Sequence, residues 1–180
     1  MQCKRNSRGA APLDSAALQA LAVRYVARYA TTRARLVGYL ARKLAERGWA
    51  GEGEPAIEAL ADRAVAAGFV DDSAFAGARA GALARRGYGQ RRLDAALRQS
   101  GIDPETAAAH RLDDEAAIAA ADAFARRRRI GPYAAVPVDR AVAARHFAAM
   151  LRAGHPPDLA RRIIARPRLD EDGAPWEDRG

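Results

Sequence analysis

What the chain has little of narrows its possible functions first. Cysteine occurs once, as Cys3. A lone cysteine builds neither a disulfide framework nor a thiolate zinc site. There is no run of about 20 apolar residues, so no transmembrane helix is expected. The opening Met1-Gln2-Cys3-Lys4-Arg5-Asn6 lacks the apolar centre of a secretory signal, and the expected compartment is the cytoplasm. His110, His146 and His155 are not at metal-ligand spacing on one helix, and no acid cluster joins them. No nucleophile stands with a base, and there is no phosphate-binding loop. Neither metal, cofactor nor enzymatic activity is expected.

What is present is alanine and arginine. Hydrophobic residues make up 49% of the 180, but Leu, Ile, Val and Phe are sparse beside Ala. Alanine buries little area, at roughly 25 cal/mol per Å², so thin, local cores are expected. Both residues favour helix. The net charge is +8, and Arg supplies nearly all 30 basic residues. Such a balance suits an anionic partner, either nucleic acid or the acidic face of a protein. A genome rich in arginine codons would leave the same composition.

The apolar spacing is helical. Leu18, Leu21, Ala22, Tyr25 and Tyr29 share one face, Leu36, Leu40 and Leu44 follow at steps of four, and Ile57, Leu60, Ala61, Ala64 and Val65 make a third stripe. Phe75, Ala78, Ala82 and Leu83 make a fourth. Thr31 or Thr32, Asp71 or Asp72, Asp103, Asp113, Asp114 and Asp139 stand where helices open. Pro55 and Pro104 suit first turns, and Gly48 and Gly68 suit helix stops. No strand pattern competes with these.

A period runs through the chain. Gly48, Gly101 and Gly154 are 53 residues apart in both intervals. Leu44, Leu97 and Met150 keep the same offset, as do Leu40, Leu93 and His146, and Trp49, Ile102 and His155. The spacing predicts an all-α fold of three tandem three-helix repeats, helix-turn-helix-like units at 15–68, 71–112 and 113–166, stacked into an elongated, curved body. A disordered arm is expected at 1–13 and an acidic, flexible tail at 167–180. The third repeat departs most from the pattern, with His146 at an apolar register and a long connection over residues 130–138.

Two segments carry a resemblance. Gly68-Phe69-Val70-Asp71-Asp72-Ser73-Ala74-Phe75-Ala76 resembles the Gly-apolar-apolar-Asp-Asp-x-x-Phe-Ala signature of the RecX family. Arg85-Arg86-Gly87-Tyr88-Gly89-Gln90-Arg91-Arg92-Leu93 resembles that family's Gly-x-Gly-Pro-Arg-Arg/Lys-apolar motif, with Gln90 in place of proline. Proline there would fix the first helical turn, and glutamine is expected to leave it looser. The resemblance implies a regulator of homologous recombination and DNA repair in the bacterial SOS response. Such a protein binds the RecA filament, without a cofactor, and restrains its ATPase and strand exchange. Some members also bind single- or double-stranded DNA. No membrane partner is implied, and a monomer is expected.

The candidate contact residues are basic. Arg85, Arg86, Arg91 and Arg92 flank Gly87-Tyr88-Gly89, and Arg98 follows. Arg91 and Arg92 crowd a helix start, where positive charge is unfavourable, which favours a role toward a partner. A solvated turn with a structural tyrosine is the other reading. Arg126-Arg127-Arg128-Arg129 point around a helix and cannot all meet one partner. They form a phosphate-binding run, a RecA-facing patch or a solvated helix end. Gly48, Gly68, Phe69, Asp71, Asp72, Phe75, Gly87, Gly89, Leu93, Leu97, Gly101 and Gly154 are expected to be structural, Asp71 and Asp72 as caps. The competing functions are a helical DNA-binding module that acts without RecA, and an inert scaffold with arginine drift.

Overall fold

The computed structural model describes residues 11–135 and 138–167. Cys3, most of the expected arm, two residues of the 130–138 connection and nearly all of the acidic tail lie outside these residues. Among the described residues nine α-helices follow one another: α1 (Ser15–Arg28), α2 (Arg33–Arg47), α3 (Ile57–Ala66), α4 (Asp72–Arg85), α5 (Gln90–Gln99), α6 (Pro104–Ala108), α7 (Asp114–Arg128), α8 (Arg140–Arg152) and α9 (Pro157–Ile164). A 3₁₀ turn spans Gly131–Tyr133. Among the described residues the fold is all-α, and the helix–glycine register recurs after α2, α5 and α8. The backbone divides into two compact units. One takes in the described chain up to Phe75 together with Ser100–Ile102. The other takes in Ala76–Gln99 and the described chain from Asp103 on.

Caps explain most helix starts. Asp14, Thr32, Asp103, Asp113 and Asp139 each accept from a backbone N–H three residues on. Asp71 does the same for α4, accepting from Ala74 N at 2.8 Å. Asp72 serves a different helix: its Oδ1 accepts from Arg33 N at 2.8 Å, at the start of α2. Pro55 departs from expectation. It precedes the first turn of α3, whose cap residue Ala56 makes no side-chain bond. Gly38, inside α2, is exposed, and a Cβ there would meet nothing within 4 Å. It weakens the helix by about 0.5–1 kcal/mol relative to alanine with no packing return.

The first unit closes around Leu18, Ala22, Leu36, Leu40, Leu60, Ala61, Ala64 and Val70. Leu13 joins them fully buried; its N–H donates to Gly48 O and its carbonyl accepts from Ala50 N, both at 2.9 Å. Leu13, expected at the end of a disordered arm, is thus part of the folded core. Ser100 ties in through Thr32, whose Oγ1 donates to its carbonyl at 2.6 Å, and Arg35, which donates to its hydroxyl at 2.9 Å.

Some apolar residues fall outside these cores. Tyr29 lies past the last residue of α1 and is exposed, as is Val65. Phe69, expected to be structural, is 65% exposed. Its backbone instead closes the turn after α3, donating to Ala64 O at 2.9 Å.

The second unit is held by thin cores: among the described residues Ala80, Leu83 and Leu93 form one, and Ala121, Phe124, Ala125, Ile130, Met150, Ala153, Leu159, Ala160 and Ile163 form another. The inward face of α4 is Ala76, Ala80 and Leu83, with Ala78 exposed, so the fourth stripe is rotated from its expected register. A helix of alanines carries too weak a hydrophobic contrast to reveal its inner face.

Candidate functional site

The Gly87-Tyr88-Gly89 turn is built by close approach. Gly87 has φ +76°, and a Cβ there would lie 2.7 Å from Phe124 N; a Cβ at Gly89 would lie 2.5 Å from the Gly154 carbonyl. Gly89 N donates to Ala153 O at 3.0 Å, and Arg91 N to Gly154 O at 3.2 Å. The start of α5 is thereby pinned to the turn after α8. Gln90 fastens it further, its Oε1 accepting from Leu112 N at 2.8 Å and its amide donating to Asp94 at 2.6 Å. The expected looseness at Gln90 is thus corrected: the glutamine side chain makes two bonds that proline could not.

These contacts gather arginines that are far apart in sequence. Arg86, Arg92, Arg127, Arg128 and Arg152 line a depression of about 680 Å³ with Tyr88, Phe124, Ala149 and Ala153. Arg86 and Arg92 both lie on the Tyr88 ring, at 5.8 and 5.5 Å from its centroid. Arg127 lies over Phe124 at 5.6 Å and donates to the Arg86 carbonyl. Arg91, Arg92, Arg98 and Arg152 line an adjoining depression of about 600 Å³, where Asp94 is the acid present. Stacking on aromatic faces restricts the Arg86, Arg92 and Arg127 guanidiniums, and restrained guanidiniums suit paired bonds with carboxylate or phosphate. No carboxylate among the described residues lines the larger depression.

The expected contact residues therefore separate. Arg86, Tyr88, Arg92, Arg127 and Arg128 come together, and Arg91 and Arg98 stand beside them. Arg85 folds back along α4, with Nη1 3.2 Å from where a Gly81 Cβ would be, and lines none of these depressions. Arg126 is taken up elsewhere. It lies 4.7 Å over Tyr133, whose hydroxyl donates to Asp122 at 2.7 Å, and Arg166 pairs with the same Asp122 at 3.0 Å. Arg129 ends α7 in the left-handed region at φ 53°. Sequence reading missed Arg152. Its only signal is the period: that register holds Glu46 and Gln99 in the earlier repeats and becomes basic in the third.

His155 supports the turn from below. It is buried, packs against Phe124 at 5.7 Å between ring centroids, and its Nε2 lies 3.1 Å from Gly87 O. A carbonyl only accepts, so Nε2 carries the proton. Burial holds the imidazole below its usual value near 6.5, outweighing the hydrogen bond to Gly87. His146 shifts the same way, through burial and then the charge of Arg145. With both values lowered in the fold, the unfolded chain takes up protons first as pH falls below 6.5. Their contribution to stability is intact above that pH and is lost on acidification toward the folded values. Urea midpoints are expected to fall from pH 7 to 5.5, and His155→Gln is expected to flatten that decline. An equally steep decline in the variant would refute this account.

The family model for the second three-helix domain of RecX matches residues 71–110, which carry both the Asp71-Asp72 and Gly87-Tyr88-Gly89 segments. A protein of Myxococcus xanthus (strain DK1622) named "Regulatory protein RecX" is 31% identical over 156 residues, covering 82% of this chain and 83% of its own length. The chain belongs to the RecX family. A second RecX, from Thermobifida fusca (strain YX), is 35% identical over 170 residues, with 91% and 85% covered. Crystal structures show the RecX fold. That of RecX from Lactobacillus salivarius has a TM-score of 0.66 at 17% identity over 83% of this chain and 93% of its own. Another, described as regulatory protein RecX, has a TM-score of 0.65 at 19% identity, over 84% and 75%. No helix among the described residues is long and apolar enough to cross a membrane.

Proposed function

We propose that this RecX-family chain docks on the RecA filament through the arginine face of its second unit. Docking lowers the filament's ATPase and strand-exchange activities, and the chain catalyses no reaction of its own. The observation that carries the reading is the five-guanidinium depression around Tyr88, an anion-seeking surface that no carboxylate among the described residues lines. Exposed carboxylates on adjoining RecA protomers are its complement. Engaging two protomers at once would hold the filament's pitch or hinder addition of the next subunit. The chain acts as a cytoplasmic monomer in this scheme and needs no cofactor.

The test is titration into RecA assembled on single-stranded DNA with ATP. Amounts well below one chain per RecA are expected to suppress ATP hydrolysis, and no suppression at any ratio would end the proposal. The same guanidiniums accept phosphates, so a module acting on DNA alone is the competing reading. It would be favoured by tight, steeply salt-dependent duplex binding together with no effect on RecA.

A further inference from the structure

The arginine depression of the second unit has a complement within the same chain. Five of the 22 acidic residues fall within residues 170–178, as Asp170, Glu171, Asp172, Glu177 and Asp178, in a chain of net charge +8. Trp176 stands between the two acidic runs. The described chain ends close to the depression. Arg166 is held 3.0 Å from Asp122 on α7, and Arg127 and Arg128, further along that helix, line the depression. At about 1.5 Å per residue along a helix of about 10 Å diameter, the path from Asp122 to the depression is roughly 15–20 Å. Residues 170–178 begin four and end twelve residues past Arg166, up to about 14 and 42 Å of extended chain. Both partners belong to one compact unit. Charge is the second argument. Arg86, Arg92, Arg127, Arg128 and Arg152 share the depression, and no carboxylate among the described residues lines it. With a Debye length of about 8 Å, physiological salt screens their mutual repulsion only in part. Arg161 and Arg162, in the last turn of α9, are nearer in sequence but offer two charges against five, and Arg161 already lies 5.1 Å over Phe147.

We propose that residues 170–178 dock on this arginine depression and compete with RecA for it, an autoinhibitory contact made by the chain's own acids. The two acidic runs supply carboxylates for paired bonds to guanidinium, and the indole between them supplies a face for a further cation. The consequence for RecA rests on the proposed function of that face; the contact itself rests on charge and reach. Weak ion pairs suffice, because a short tether holds its segment at an effective concentration in the millimolar range. A segment that covers the face about four-fifths of the time leaves one-fifth of the chain competent, which lowers the apparent affinity for RecA about fivefold. Carboxylates presented by two adjoining RecA protomers displace the segment, so its occupancy sets the threshold for suppression.

The experiment uses the full chain. Joint replacement Asp170→Asn, Glu171→Gln, Asp172→Asn, Glu177→Gln and Asp178→Asn is expected to half-suppress RecA's ATPase at about one-fifth of the original concentration, a gain that shrinks as salt rises. The control makes the same change of charge on the body, converting Glu52, Glu54, Glu105, Glu115 and Asp158 to their amides. All five are exposed and none lines the depression. It is expected to shift half-suppression by less than about twofold. A second readout needs no RecA. Acrylamide quenching of tryptophan reports Trp176 by difference, because Trp49 lies in the first unit and contributes equally throughout. Quenching is expected to rise in the neutralised chain and on reversal of Arg92, Arg127 and Arg152 to glutamate, but not on reversal of Arg85, Arg145 and Arg162. The proposal is overturned by unchanged half-suppression in the neutralised chain, by an equal gain in the control, or by quenching that the two arginine sets move alike. If the original chain suppressed no RecA activity, the assignment of the face would fall, and quenching would still decide the contact.

Discussion

Replacing Arg92, Arg127 and Arg152 together by glutamate is expected to raise the concentration needed for half-suppression of RecA's ATPase about a hundredfold, roughly 3 kcal/mol. All three are exposed side chains of the five-guanidinium depression. A single solvated ion pair contributes at most about 1 kcal/mol, so the full effect needs the three contacts to be lost jointly. Reversal adds repulsion to loss, which is why glutamate rather than alanine is the informative change. None of the three lies in a hydrophobic cluster, so far-ultraviolet circular dichroism should not move.

Net charge alone would weaken any electrostatic encounter, so the control must carry the same change in charge elsewhere. Arg85, Arg145 and Arg162 are exposed and line none of the arginine depressions of the second unit. Their joint reversal should shift half-suppression by less than about threefold, the long-range share that salt screens over about 8 Å. Arg85 makes the control sharp, since it is adjacent in sequence to Arg86 yet points away from the depression. Equal losses from the two sets would mean that RecA senses the protein's total charge and not this surface.

The contrast between Arg85 and Arg86 also shows which features can be read from sequence. Caps were legible because their chemistry is local: Asp103 with Pro104, Asp113 and Asp139 each act within three residues. The glycine period was legible because Gly48, Gly101 and Gly154 all end helices with positive φ. The inner face of α4 was not, because alanines mark no side. Arg152 joined the site only through contacts between the turn after α8 and the Gly87-Tyr88-Gly89 turn, a tertiary fact without local trace. Gln90 was misread for the same reason. Its value lies in Leu112, 22 residues away.

Gly48 and Gly154 occupy the same register, and their alanine substitutions are expected to differ widely. Gly48 has φ +83° and open space where a Cβ would go. Alanine there meets only the backbone penalty of a glycine-favouring conformation, about 2 kcal/mol. Gly154 has φ +97°, and its Cβ would lie 2.5 Å from Arg92 N and 2.9 Å from Gly89 O. Main-chain atoms cannot swing aside as a side chain can. Relief requires the α5 start to separate from the turn after α8, breaking the Gly89–Ala153 and Arg91–Gly154 bonds. The added overpacking brings the expected loss to about 4 kcal/mol, a large part of what a domain of this size has to lose. Urea unfolding measures both variants. Gly154→Ala should also forfeit RecA suppression under conditions where its helices persist, because Arg92 and Arg152 are held together by that turn. Equal destabilisation of the two would mean that the close approach is not what assembles the arginine face.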